Sequence, residues 1–397
     1  MNAILSLAFI FITYAAGDLI AVRTKSIVST MFTCSVVFII GFWLGVPQTL
    51  FADAQLVSIG ALLITVLLVH MGTLMSLQQL KEQWKTVLIA LAAVVGISII
   101  ILTVGPMIIG RSEALVAAPV IAGGIIAALT MQNAVTAAGA ANAEALAVYA
   151  TVLMVMEGFI GYPVASYCLK KEGRLVKQKI LDGTYVEEKK TITKAPAKKK
   201  LFPPLSDNYA SENVYLAKVI LVALLATFIS AMLAKAAGKT VIDKNIMGLL
   251  LGILFSELGF LEPSILNKAN SGGFAMAALM AVVFTSLSKA TPQLLLGLLP
   301  AIIGAQVIGV IGYTVFSVIM GKILKVSPWM CIAIGSTANY GFPGTFVISR
   351  EVANALGDTP EMKEQILGAI LPKMLVAGFI TVSIASVFLA GIIAKMV

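Results

Sequence analysis

Charge is scarce in this chain. Of its 397 residues only 12% are Asp, Glu, Lys or Arg, while 59% are hydrophobic. There is a single histidine, His70, and there are three cysteines, Cys34, Cys168 and Cys331, widely spaced in or beside apolar runs. An odd count without CxxC spacing supports neither a disulfide framework nor a zinc site, so the cysteines read as small buried hydrophobes. No HExxH, GxSxG or Walker loop occurs, and no polar stretch is long enough to fold as a nucleotide-binding domain. The sequence therefore reads as that of a non-enzyme without an organic cofactor.

What the chain has in excess is apolar length. Its mean hydropathy is +0.99. A soluble domain cannot bury that much apolar surface in one core. In lipid the backbone must pair its polar groups internally, which points to an all-α polytopic membrane protein. At about 20 residues per span, the length allows roughly ten to twelve spans once one polar loop is set aside. Apolar runs fall near 2–21, 28–46, 54–74, 85–109 and 146–168, and again near 214–236, 245–260, 271–288, 293–320 and 365–394. The first run, MNAILSLAFIFITYAAG, has no basic n-region and no small-residue cleavage site, and reads as a retained span.

Between the two sets lies a charged stretch, residues 169–213, rich in Lys and carrying Pro and Ser. Eleven of the 28 basic residues fall at 170–200 beside only four acids. The net charge of +9 is therefore largely a topology signal and not a nucleic-acid signal. The stretch reads as a flexible cytoplasmic linker between an N-terminal repeat, 1–168, and a C-terminal repeat, 214–397. Arg23, Lys25, Lys81, Lys85, Lys322 and Lys325 then fall inside and Asp53 outside. Lys235, Lys239 and Lys244 fall outside, a mild violation. Both termini lie outside the cell membrane.

Two apolar but broken segments remain, each between the fourth and fifth runs of its half. They are 121-IAGGIIAALTMQNAVTAAGAANAEA-145 and 335-GSTANYGFPGTFVISRE-351. Glycines permit sharp reversals, and Pro343 has no N–H and disfavours helix at Phe342. Non-helical backbone at membrane depth is tolerated only inside protein or beside a wet cavity. If each segment is a re-entrant hairpin, the halves have about five helices each and opposite orientation, the inverted-repeat plan of many transporters. The alternative is a pair of kinked, glycine-rich spans with a packing role. The short echo of 157-EGFI-160 in 377-AGFI-380 fits the repeat.

This layout resembles the bacterial sodium/glutamate symporters, within a wider group of sodium-coupled organic-anion carriers. The local likeness is best at 335-GSTANYGFPGTFVISREVANALG-357 and 366-ILGAILPKMLVAGFITVSIAS-386, with 122-AGGIIAALTMQNAVTAAGAA-141 and 146-LAVYATVLMVMEGFIGYPVASY-167 in the first half. The plan covers almost the whole chain and the motifs a much smaller share. The resemblance implies a sodium-coupled secondary transporter of glutamate or a related carboxylate, and a homodimer through scaffold spans. The first loop keeps only Gly123 and Gly124 where the symporters are glycine-dense around a His. The second has Tyr340, Phe342 and Pro343 where they are leaner. The likeness thus bears on fold and transport more than on glutamate as the solute.

Ionisable residues in spans are functional candidates because isolated charge there is costly. Glu157 is mid-span in VLMVMEGFIGYP and needs a cavity, a partner or a proton. Lys373 lies in the last span. The two either pair across the halves, or divide the work of holding a cation and a carboxylate, or leave Lys373 to snorkel. Arg350 can grip a carboxylate through two parallel bonds, or lie in cytosolic water. Asp18 sits near an interface, and His70 is either structural or a proton relay. The candidate solute and ion ligands are Gly123, Gly124, Gln132, Asn133, Thr136, Glu157, Thr337, Asn339, Gly341, Gly344, Thr345, Arg350 and Lys373, with a sodium ion near Asn133, Asn339 and Glu157. The functional expectation is alternating-access transport of a small organic anion across the bilayer. The rivals are a cation/proton antiporter and a non-transporting membrane protein.

Overall fold

The computed structural model describes residues 2–74, 81–138, 143–185, 201–202, 206, 209–237, 242, 244–289, 291–393 and 396. The middle of the basic linker, 186–200, and Lys239 lie outside the described residues. Among those described, every regular element is helical. The longer helices are α1 (Ala3–Arg23), α2 (Thr30–Trp43), α3 (Leu56–Gly72), α4 (Trp84–Ile108), α5 (Arg111–Ala138), α6 (Ala143–Leu181), α7 (Glu212–Ala237), α8 (Lys244–Glu257) and α9 (Gly272–Thr285). They continue as α10 (Pro292–Leu324), α11 (Pro328–Ser336), α12 (Gly344–Leu356), α13 (Pro360–Phe379) and α14 (Ser386–Ile393). A 3₁₀ turn, Thr337–Asn339, follows α11, and a π-helical stretch, Ile380–Ala385, joins α13 to α14.

Six segments are long and apolar enough to cross a membrane: α1, α4, α6, α7, Leu296–Leu324 of α10, and Pro360–Val382. The apolar helices α2, α3 and α9 are shorter. The outward faces fit a lipid surround. On α7, Leu221, Leu224 and Phe228 are each more than half exposed, as an apolar helix is when its neighbour is hydrocarbon instead of water.

The chain forms two compact units, and each draws on both halves of the sequence. The first comprises 1–7, 49–82 and 188–285. Here α3 packs on α8 and α9. Small residues set the approach: a methyl on Gly72 would lie 2.5 Å from the Leu249 carbonyl, and one on Gly252 would meet the Val69 carbonyl. Thr65 bonds Asn245 at 2.9 Å, and Lys218 pairs with Glu262 at 2.7 Å while lying over Phe260. His70 is buried, and its Nδ1 accepts the Leu266 N–H at 3.3 Å. That bond gives His70 an anchoring place at the start of the one-turn helix Ile265–Lys268.

The second unit comprises 8–48, 83–187 and 286–397. Its axis is the crossing of α4 and α10, where Gly96 and Gly312 meet. A methyl on Gly96 would lie 2.5 Å from the Gly312 carbonyl, and one on Gly312 would lie 2.7 Å from that of Gly96. Helix α6 runs past the expected span end to Leu181. The start of the 169–213 stretch is thus helix and not loop. Its KKEGRLVKQKIL sequence is rich in good helix formers and has no proline; the helix carries Gly173 in its interior and ends before Gly183, which takes φ +68°. Ser29 and Thr359 cap α2 and α13 by accepting the N–H of Phe32 and Met362, both at 3.2 Å.

Candidate functional site

Helix α6 serves as a ruler for the second broken segment. Near the start of α11, Trp329 stacks edge-on against Tyr167, and Lys171 lies over both rings. At the far end, Asn339 and Tyr340 reach Gly161, where an added methyl would lie 2.7 Å from the Asn339 Cβ. The Tyr162 and Tyr340 rings are 5.2 Å apart. On the way back, Val352 and Leu356 of α12 pack at Gly173, and Asp358 pairs with Lys177 at 2.8 Å. Both legs therefore meet α6 between 167 and 177, and the bend lies toward 161. The bend is made by Tyr340, Gly341 at φ +54°, and a cis Phe342–Pro343 peptide. A left-handed φ is routine for glycine and strained for other residues.

The first broken segment bends as well, and α10 is its ruler. The end of α4, Ile108 and Ile109, faces Gly304. Helix α5 then begins, and its Ile121 packs at Gly309. At Gly124 the backbone leaves helical geometry, with φ 58° and ψ −137°. Beyond the bend, Gln132 donates to the Thr151 hydroxyl at 2.7 Å. Two residues before Thr151, Tyr149 donates to the Ala301 carbonyl at 3.3 Å, back at the level where α5 began.

The two bends share a neighbour. Methyl groups placed on Gly124 and Gly341 would lie 3.8 Å and 2.8 Å from the Val382 side chain. Val382 stands in the π-helical stretch, a local widening of the helix that recurs at functional sites. The next residue back, Thr381, shares a hydroxyl contact of 3.2 Å with Thr337. One turn earlier, Gly378 faces the Thr345 methyl and the Gly341 backbone. The turn Thr337–Asn339 also packs on α5.

Polar atoms without partners gather near these bends. The Asn339 amide donates to Gln306 Oε1 at 3.1 Å. Asn339 Oδ1, Gln306 Nε2 and Thr345 Oγ1 are buried and make no hydrogen bond. On α6, one turn before Gly161 (about 6 Å of rise), Glu157 is 1% exposed and its Oε1 has no partner. Each such group forfeits about 1–3 kcal/mol unless something completes it. Gln306 was not among the sequence candidates. The signal was a lone amide in the apolar run AIIGAQVIGVIGY, and that run read as an ordinary span.

The other candidates scatter. Gly123 is buried beside the first bend, and a methyl on Gly344 would meet the Tyr340 and Tyr162 rings. Asn133 and Thr136 are exposed, and the Thr136 hydroxyl bonds its own helix at the Gln132 carbonyl. Asn133 thus stands apart from buried Asn339 and Glu157 in exposure. Arg350 is exposed, with its guanidinium over Phe346 at 5.4 Å. Lys373 donates to the Ala369 carbonyl at 2.9 Å, and no ion pair joins it to Glu157 among the described residues. The carboxylate of Glu351 accepts the Thr30 N–H at 3.0 Å, and Asp18 accepts the Thr30 hydroxyl at 2.9 Å. No group of three or more His, Cys, Asp or Glu able to hold a metal ion occurs among the described residues. Set beside known proteins, the chain matches no family model and no curated protein.

Proposed function

We propose that the chain is a secondary transporter of a small organic anion, coupled to sodium and working by alternating access. The observation that carries this reading is the meeting of two backbone reversals at one π-helical side chain, Val382, beside buried polar atoms that lack partners. In this reading the reversals are re-entrant hairpins, one in each of two inverted repeats of about five helices. The basic end of α6 and the linker lie in the cytoplasm, with both termini outside. The second bend brings the C-terminal end of α11 next to the N-terminal end of α12. Carbonyl ends favour a cation and amide ends an anion, so solute and coupling ion fit side by side there. Glu157 is the nominee for the ion, because a buried carboxylate needs a cation or a proton.

Uptake into proteoliposomes tests the reading. Labelled glutamate and a panel of small carboxylates are offered with and without an inward sodium gradient. Sodium-stimulated uptake of any member is the expected result, and no uptake by correctly inserted protein sinks it. The isolated Glu157 also favours a second reading, cation/proton exchange. In that case the same vesicles would show sodium-driven proton movement with no solute present.

A further inference from the structure

Around Lys170 of α6, positive charge gathers with no acid to answer it. Ser166 donates its hydroxyl to the Ser26 carbonyl, and Lys170 Nζ donates to the Thr24 carbonyl at 3.4 Å. These bonds seat the turn between α1 and α2 on α6, although Lys25 and Ser26 both take a left-handed φ, 50° and 57°. Seated there, Lys25 joins Arg174 in bringing like charge to bear on the Lys170 ammonium. Lys170 is 6% exposed, while Lys25 and Arg174 are exposed. Neither Lys25 nor Arg174 forms an ion pair among the described residues. An ammonium has three donors, and the Thr24 carbonyl takes one of those on Lys170.

The acids of this region are engaged elsewhere. Asp358 pairs with Lys177, and Asp18 and Glu351 serve Thr30. Glu172 bears on Cys331, and a separation of two residues turns it away from both Lys170 and Arg174. The neighbours of the cluster mark its level in the bilayer. Tyr167 and Trp329, with Lys171 over both rings, make the aromatic-and-cation arrangement of a membrane–water interface. On the other flank Val22 and Ile27 are 73% and 59% exposed, as side chains bordering hydrocarbon are. Cations and lipid-facing aliphatics thus stand side by side, and a phospholipid offers the counterpart of each. A net negative one fits best, because in a zwitterionic headgroup the phosphate already has its own cation.

Independently of the transport reading, we propose that Lys25, Lys170 and Arg174 hold the phosphate of an anionic phospholipid, in the leaflet that this end of α6 meets. The Arg174 guanidinium can take two phosphate oxygens through parallel bonds. Lys170 adds its open donors, and the acyl chains lie against Val22 and Ile27. The lipid then ties the α1–α2 turn to α6 through a charge that neither element supplies, and by binding the folded chain it raises stability.

Binding to the purified full chain in detergent is the test, counted by native mass spectrometry and read as a rise in Tm. The probes are phosphatidylglycerol, phosphatidylcholine and glycerol phosphate, the last a headgroup without chains. Phosphatidylglycerol is expected to bind and raise Tm, and the other two are expected to do neither at the same concentration. Lys25→Gln with Arg174→Gln should weaken that binding at least about tenfold, as the loss of two cations beside an anionic headgroup implies. Lys322→Gln with Lys325→Gln removes the same charge from another exposed part of the unit and should leave binding nearly unchanged. If the first pair does not fold, Lys25→Gln alone is read in its place, with an expected loss of about fivefold. Equal weakening by the two pairs would mean diffuse charge and overturns the site. So does phosphatidylcholine that binds as tightly as phosphatidylglycerol. Glycerol phosphate that binds as tightly overturns the lipid as occupant and points to a soluble anion. None of these outcomes bears on uptake, so the lipid site and the transport reading stand or fall separately.

Discussion

Gly124 and Gly341 do different work at their two bends. The Gly124 backbone, φ 58° with ψ −137°, is closed to other residues by its own sterics. Its surroundings are open, with Val382 at ordinary contact distance. Gly341 combines a left-handed φ with a Val382 side chain that leaves no room for a methyl. Gly124→Ala is expected to lose about 1–3 kcal/mol to backbone strain. Gly341→Ala is expected to lose about 1–2 kcal/mol to strain and more to the clash. Adding Val382→Ala should restore part of the loss in Gly341→Ala and none in Gly124→Ala, read as Tm in detergent. Equal rescue of both would refute the distinction. Glu157→Gln is expected to remove sodium stimulation of uptake while leaving the fold intact, and unchanged stimulation would take Glu157 out of the coupling. For His70→Ala, the Leu266 N–H loses its acceptor in a buried place, an expected loss of about 1–3 kcal/mol. If His70 instead relayed protons, the pH profile of uptake would move, and the anchoring role predicts that it stays.

At the scale of elements, the apolar runs were legible because twenty or so hydrophobic residues leave few structural choices. Helices α1, α4, α7 and α10 begin and end within a few residues of the expected limits. The breaks were legible too, since Gly-Gly and Gly-Phe-Pro-Gly are strong punctuation. Less legible is the continuation of α6 to Leu181, where charge suggests a loop although Lys, Arg, Glu, Gln and Leu are good helix formers. The π-helical stretch had no sequence signal, because ITVSIA looks like any apolar span. Gln306 is hard to single out for a related reason: one polar residue barely changes the hydropathy of a span, and its meaning depends on which residue faces it. The bends themselves can be tested by accessibility. With Cys34, Cys168 and Cys331 replaced, cysteines at the exposed positions Thr136 and Arg350, on the outgoing legs of the two broken segments, should react with an impermeant reagent from opposite sides of the membrane. Labelling of both from one side would rule out oppositely entering hairpins.

At the scale of the molecule, sequence reading divided the chain at its basic linker, because composition changes sharply there. The compact units cut differently, each taking pieces from before and after that linker. No local pattern announces such a division, since it follows from which helices find close-packing partners. Gly96 and Gly312 illustrate this: they are distant in sequence, yet their backbones meet, and neither glycine marks a bend. A larger residue at either place should separate α4 from α10. Gly312→Leu is therefore expected to lower Tm and expression sharply. The surface pair Lys177–Asp358, by contrast, contributes less than about 1 kcal/mol, so Lys177→Ala should leave both nearly unchanged.

Val382 lies beside both bends, in a stretch of helix one step wider than its flanks. Such a widening can migrate along a helix by passing one hydrogen bond to the next, and each step turns the side chains within it. A shift of one register would carry Val382 away from one glycine and toward a different neighbour of the other. The two bends would then behave as the two pans of a balance with a shared fulcrum, unable to settle without reference to each other. Substitutions at Gly124 and Gly341 should accordingly fail to add in a double-mutant cycle of uptake rates, although neither residue belongs to the other's segment.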